Sequence, residues 1–279
     1  MIVRRRLDFD FDPGSVPRDW YQDDPHLTTM WSALSLAFPE GERFFVESVR
    51  RYRDRIEDPE LLSAIEGFGG QEAMHAKAHR LFNEMLQAQG LGDALPAAEK
   101  RVRWLLNVGR RVLPHKAQLA VTVALEHFTA ILAEQLLSNE KHRAAGHPSV
   151  HALWEWHAFE ESEHKAVSFD VYRAVGGTYA MRVRVMLMTT ALFMIAVLLI
   201  HARFLHARGK LGDVRGWART AGFLWVRPGL FRELVPAYWD FFRPGFHPND
   251  RDTRALVAEW SERLFGTQGT LRDQLHAAA

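Results

Sequence analysis

Two short segments carry the same arrangement of acids and imidazoles, and each demands a helix with one unusual face. In QEAMHAKAH (71–79), Glu72 stands three residues before His75, and His79 follows one turn later. In WHAFEESEHKAV (156–167), Glu161 and His164 repeat the spacing, with His157 one turn earlier. Residues three and four apart share a helix face. Stepping that way through the first segment gives Leu61, Ile65, Phe68, Glu72, His75, His79, Phe82 and Leu86. The second gives Val150, Trp154, His157, Glu161, His164, Ser168, Val171 and Val175. Both stripes are apolar at their ends, so both face a core, and both hold ionisable side chains at the centre. A carboxylate inside an apolar stripe is costly unless it is paired or holds a metal. A structural Glu–His pair would account for one copy. Two matching copies point to one shared metal site.

A dinuclear carboxylate site needs two further acids, one from each of two partner helices. On a helix opened by Pro114, the stripe Leu119, Val123, Glu126, Ala130, Ala133, Leu137 has Glu126 at its centre, whereas Glu134 and Glu140 lie toward the end. On the first helix, Glu42 shares a stripe with Phe45, Val49, Tyr52 and Ile56, whereas Glu47 sits among Arg50, Arg51 and Asp54. Level agrees with face. In an antiparallel pair, Glu42 and the centre of Glu72-x-x-His75 lie equally far from the Asp58–Pro59 turn. The candidate metal ligands are therefore Glu42, Glu72, His75, Glu126, Glu161 and His164, with His157 as a third imidazole. Glutamates 72 and 161 are the natural bridges, each neighbouring its own histidine. His79 and His157 are also candidate catalytic groups. His127 points about 100° away from Glu126, and Glu160 and Glu163 read as solvated charges. Oxygen and imidazole donors without sulfur suit two iron ions, or manganese, ahead of zinc.

The rest of the chain reads as helical. Helices are expected from about Leu27, from Pro39 to about Ile56, from Pro59 to about Gln87, over about 96–111, from Pro114 to about Asn139, and over about 149–175. Residues 1–26 form an irregular arm, 27–178 a four-helix di-metal core, and 179–279 a C-terminal helical extension. Within the extension, VMLMTTALFMIAVLLI (185–200) carries no charge. As a helix it spans about 24 Å, short of a bilayer core. It suits a buried helix or a homodimer interface, then a peripheral membrane contact. His247, among helix breakers, reads as a capping residue. With 47% hydrophobic residues the chain can bury a large core, and a net charge of +1 in mixed sign argues against nucleic acid as a partner. Zero cysteines exclude thiolate sites and disulfides. The N-terminus lacks a secretory pattern, so a cytoplasmic location is expected, with membrane association through 185–200 left open.

The segments FPEGERFF (38–45), GQEAMHAKAH (70–79), ALEHFT (124–129), WHAFEESEHKAVSFDVY (156–172) and YWDFFRPGFHPND (238–250) together resemble the bacterial family of predicted metal-dependent hydrolases. The resemblance runs from about residue 25 to 255. It implies a ferritin-like, all-α fold, and it places Glu42 within the family's Phe-Pro-x-Gly-Glu block. The His157-xxx-Glu161-xx-His164 pattern is locally similar to arylamine N-oxygenases, which are di-iron enzymes. Two chemistries follow. The first reading is an O2-activating di-iron oxygenase or oxidase acting on a small or apolar organic substrate, with O2 and an electron donor as partners. The alternative is a metal-dependent hydrolase using a metal-bridging hydroxide. Iron binding without catalysis is a third. The runs Trp217, Phe223, Leu224, Trp225 and Tyr238–Phe242 are expected to line an apolar tunnel, to form a membrane-facing lip, or to pack the bundle.

Overall fold

The computed structural model describes residues 2–143 and 146–276. The fold is an all-α, multi-helix bundle. Its helices are α1 (Pro25–Arg50), α2 (Pro59–Leu86), α3 (Ala94–Val112), α4 (His115–Ser138), α5 (Glu140–Arg143), α6 (Pro148–His164), α7 (Val167–Ala174), α8 (Tyr179–Ala207), α9 (Val214–Trp225), α10 (Leu230–Asp240) and α11 (Arg254–Phe265). The β-structure among the described residues is one antiparallel ladder, β1 (Arg6–Leu7) with β2 (Leu275–His276), and an isolated antiparallel bridge between Tyr21 and Gly146. Helices α1 and α2 form one hairpin, and α4 with α6 and α7 a second. Helix α8 lies across α1 and α4, with α3 wedged beside α1 and α8.

Helix starts follow capping chemistry. The Asp24 side chain accepts from the backbone N–H groups of His26 (2.8 Å) and Leu27 (3.1 Å), and Asp58 accepts from that of Glu60 (2.9 Å) with Pro59 at the first helical position. Proline was expected to begin a new helix at Pro39. Instead α1 runs through it. A proline in a helix interior leaves the carbonyl four residues earlier, here that of Ser35, without its donor. Asn83 of α2 supplies it, with Nδ2 donating to the Ser35 oxygen at 3.3 Å. The helix then stops at Arg50 and tightens into a 3-10 turn over Arg53–Arg55, short of Ile56. The helix expected over 149–175 also divides, its ladder lapsing at Lys165–Ala166.

Residues 2–24 hold no α-helix, as their prolines and glycine suggest, yet they are packed. Phe9, Phe11, Val16, Trp20 and Tyr21 are buried. The start of this arm lies along a groove on α2 made by glycines. A Cβ on Gly67 would come within 2.7 Å of the Ile2 carbonyl oxygen, and one on Gly70 within 3.2 Å of the Arg4 side chain. The arm and α11 cover the side of α6 that the sequence left to solvent.

Replacing Asn83 with alanine leaves a buried carbonyl without a donor, at a cost of about 1–3 kcal/mol. Adding Pro39→Ala restores the backbone N–H for that carbonyl, so a urea-unfolding double-mutant cycle should show favourable coupling between the two changes. Zero coupling would mean that Asn83 does not stand in for the missing N–H.

Candidate metal centre

Each hairpin delivers its ligand-type side chains at one level. Glu42 comes from α1, Glu72 and His75 from α2, Glu126 from α4, and His157, Glu161 and His164 from α6, and all seven are buried. Three groupings place one ligand atom per residue within 4.8 Å of the others: Glu42 with His75 and His157, Glu72 with Glu126 and His164, and Glu72 with His75 and Glu161. Glu72 belongs to two of them. His75 also belongs to two, and groupings that overlap in this way could hold two metal ions.

The polar atoms of this cluster are left wanting partners. Both oxygens of Glu42, Glu72 and Glu126, one of Glu161, Nδ1 of His75 and Nε2 of His164 are buried without a hydrogen bond. Orphaned buried carboxylates of this number are rare in native proteins, and two cations would satisfy them at once. The residues present thus fit a pair of metal ions. Burial, and then the neighbouring carboxylates, holds Glu42 and Glu126 well above the usual carboxyl range, and Glu72 is raised for the same reasons. Glu161 is held well below it, because His164 and His157 outweigh the effect of burial. His164 is raised well above the ordinary imidazole value, with Glu161 and Glu72 again overcoming burial.

Hydrogen bonds behind the cluster settle which nitrogen of each imidazole faces it. His164 turns Nε2 toward Glu72 (3.1 Å), Glu161 (3.3 Å) and Glu126 (3.6 Å), while Nδ1 donates to Gln71 Oε1 at 2.8 Å. Gln71 is fixed in turn by donating to Glu163 (2.8 Å) and to the Val3 carbonyl (3.0 Å). His75 turns Nδ1 toward Glu161 (3.8 Å), and its Nε2 meets Glu160 at 3.1 Å. For His157 the assignment follows from α1. Because the Asn83 amide nitrogen faces the Ser35 carbonyl, its oxygen accepts from Ser35 Oγ at 2.8 Å. The Ser35 hydroxyl has no second proton, so His79 Nδ1 donates to it at 2.9 Å. His79 Nε2 then accepts from His157 Nδ1 at 2.7 Å, leaving the His157 Nε2 lone pair facing Glu161 (3.0 Å) and Glu42 (3.8 Å). Each of the three imidazoles thus turns one nitrogen to the cluster, where a cation would take the place of any proton that nitrogen carries.

His79 therefore stands one residue back from the cluster and orients His157. Two residues expected in solvent are corrected by the fold. Glu160 is fully buried and holds His75; burial, opposed by Arg5, pushes its carboxyl up to about 8. Glu163 takes both ends of the Arg5 guanidinium, at 2.6 and 2.9 Å, and Arg5 also reaches Glu160 at 3.1 Å. The Arg5 plane lies over Phe159 of α6 and Phe265 of α11. Sequence periodicity could not find Arg5, Ser35 or Asn83, which reach the site from outside both motifs. Elsewhere, His127 Nε2 donates to the Ala237 carbonyl (3.1 Å), away from the cluster, and His247 caps the turn at Pro248–Asp250, as its place among helix breakers suggests. Glu47 lies outside, paired with Arg43 and Arg110, and Glu134 pairs with Arg251.

An apolar cavity of about 740 Å³ reaches the cluster, with His157 and Glu161 in its wall. Its lining comes from α1, α3, α4, α6 and α8, including Phe38, Trp104, Leu125, Phe128, Leu192 and Phe193. None of Trp217, Phe223, Leu224, Trp225 or Tyr238–Phe242 lines it. Phe223 and Phe241 instead fill the core, while Trp225 and Trp239 are exposed.

Glu160→Ala removes the acceptor that orients His75 and should weaken metal binding by about 10–100-fold in chelator competition, with Glu160→Gln, which keeps an acceptor, close to wild type. Equal affinity in all three proteins would remove Glu160 from the site. The metal-free protein has its own signature. Glu42, Glu72 and Glu126, raised on folding, and His164, also raised, bind more protons native than unfolded, so their stability contribution falls as pH rises. His75 and His79, lowered by burial, act in the opposite sense but only below about pH 6.5. Glu161, lowered, matters only in acid. From about pH 6.5 to pH 8 the melting temperature of chelator-treated protein should therefore drop, and metal loading should lessen the drop, leaving the share due to Glu160. A rise over that window would mean that the carboxylates are ionised without metal.

A family described as "Predicted metal-dependent hydrolase" matches residues 3–252. No curated protein and no solved structure gives a match. The matched span takes in both Glu-x-x-His segments, Glu42, Glu126 and the arm that carries Arg5, and with this match the chain belongs to the family of predicted metal-dependent hydrolases.

Proposed function

We propose that this chain is a two-metal hydrolase acting on a substrate with a sizeable apolar portion, and that α1, α2, α4 and α6 form a ferritin-like four-helix core with α8 laid across it. Family membership favours this reading over the O2-activating one that the motifs first suggested. The observation that carries it is the placement of the Glu/His cluster against the wall of an apolar cavity. Two bound metal ions would polarise a scissile carbonyl or phosphoryl group and make water acidic enough to attack near neutral pH. Glu42, Glu72, His75, Glu126, His157, Glu161 and His164 would hold them, iron or manganese ahead of zinc by donor type.

The chain's own part is positional. Side chains such as Phe38, Leu125, Phe128 and Phe193 hold the apolar portion of the substrate and keep bulk water from the cluster. His157 and Glu161 are the cluster members that the cavity reaches, so the reacting bond lies beside them. His79, through its hydrogen bond to His157, keeps that ring in one tautomer.

A second reading has one observation in its favour. The charged side chains lining the cavity are Glu161, Arg101 and Arg203, and the His157 Nδ1 proton already points away, to His79. No free acid stands ready there to protonate a leaving group, whereas an O2-activating di-iron site would have no such group to expel and would draw its electrons from a donor and its protons from solvent. Both readings are tested on one preparation. Metal-loaded protein is offered aryl esters, amides and phosphoesters of increasing chain length, and its iron(II) form is mixed anaerobically prepared with O2. The hydrolase reading expects turnover that rises with chain length and is lost in Glu161→Ala. No turnover on any of these, with about one O2 consumed per two irons, would replace it with the oxidative one.

A further inference from the structure

We infer that the face formed by α3 and α8 docks on an anionic lipid bilayer, and that the cavity takes an acyl chain directly from it. Helix α8 packs one side on α1 and α4, and its other side is an apolar stripe open to solvent from Leu187 to Leu199. Ile195, Leu198 and Leu199 are 55%, 54% and 62% exposed. Helix α8 is long and apolar enough to cross a bilayer, but its other side is packed along α1 and α4, so the stripe of about 18 Å is suited to lying in the plane of one.

The neighbouring helix supplies the remaining features of an interfacial surface. Lys100, Arg101, Trp104, Val108, Arg111 and Val112 step by three and four along one face of α3. Trp104 and Val112 are 65% and 68% exposed beside exposed basic residues. Tryptophan and basic side chains flanking an apolar stripe are what a bilayer surface accommodates, the indole among headgroups and the cations against anionic lipids. On α10, Trp239 stands exposed next to Tyr238, whose hydroxyl bonds Thr190 of α8, so a second indole borders the stripe from the other side.

Charge selects the occupant. Helix α8 contains no acidic residue, and α3 contains only Glu99, which is engaged by Arg103. A two-fold dimer through this face would set the same basic surface against itself. An anionic bilayer meets it with opposite charge. The cavity mouth completes the case, because Trp104 and Val112 of α3 and Met188, Leu192 and Leu199 of α8 belong both to its lining and to the exposed face. An acyl chain can pass from the bilayer toward His157 and Glu161 without crossing water. The docking stands on surface chemistry alone; the fate of the acyl chain rests on the proposed metal-dependent reaction.

The test is flotation with phosphatidylcholine vesicles, with and without phosphatidylglycerol, using full-length protein in metal-free and metal-loaded form. Both forms should float with the phosphatidylglycerol vesicles, less so as salt rises. Ile195→Glu with Leu198→Glu, at positions outside the cavity lining, should weaken binding more than about tenfold while metal content and circular dichroism stay unchanged. Arg111→Gln should weaken it about fivefold. Failure of the wild type to float overturns the inference, and so does a dimer in sedimentation velocity that the double variant splits, since the face would then be closed by a second copy. Flotation by protein inactive on every tested substrate would leave the docking in place and reject the reaction alone.

Discussion

Carboxylates that meet in an apolar interior with most of their oxygens unpartnered set the terms on which this bundle is built. Each costs several kcal/mol to bury ionised and alone, and together they repel. Protonation relieves part of that cost, and cations in their midst relieve it more completely. The surrounding architecture is consistent with the second solution. Every imidazole of the cluster has its far nitrogen engaged, so that the near one is free to give a lone pair. Three different devices do this: a carboxylate for His75, an amide for His164, and a histidine–serine–asparagine relay for His157.

The relay joins fold to site. A proline in the middle of α1 frees a carbonyl; an asparagine on α2 turns to satisfy it; the orientation of that asparagine fixes a hydroxyl, and the hydroxyl fixes His79 and then His157. An irregularity in one helix is thereby converted into the tautomer of a candidate ligand on another. The opposite side of the cluster depends on the arm, whose close approach at Gly67 and Gly70 brings Arg5 to Glu160 and Glu163.

Helical periodicity made much of this legible. The stripes around Glu72 and Glu161 locate the two hairpin centres, and the level argument selects Glu42, buried in the structure, over Glu47, which lies outside. The same reasoning failed where the relevant partner was remote in sequence. Pro39 looks like a helix start because nothing local reveals that Asn83 will replace its missing donor. Glu160 and Glu163 look solvated because an amphipathic pattern assumes one covered face, and α6 is covered on both by the arm and α11. The choice between lining a tunnel and packing the bundle stayed open for a related reason. The aromatic runs after residue 216 are conspicuous in sequence, but the lining comes from α1, α3, α4, α6 and α8, which only tertiary packing brings together.

The donor set also fixes an electrostatic valence. With metal bound, the four glutamates would contribute four negative charges, and the three imidazoles, bonding through a lone pair, would contribute none. Two divalent cations cancel that sum, so an apolar interior can enclose them without residual charge. Two trivalent cations would leave a surplus of two positive charges, to be matched only by anions drawn in through the cavity. The interior would thus enclose a divalent pair without a counter-ion, whereas a trivalent pair would make the same pocket a receptor for carboxylates and other small anions.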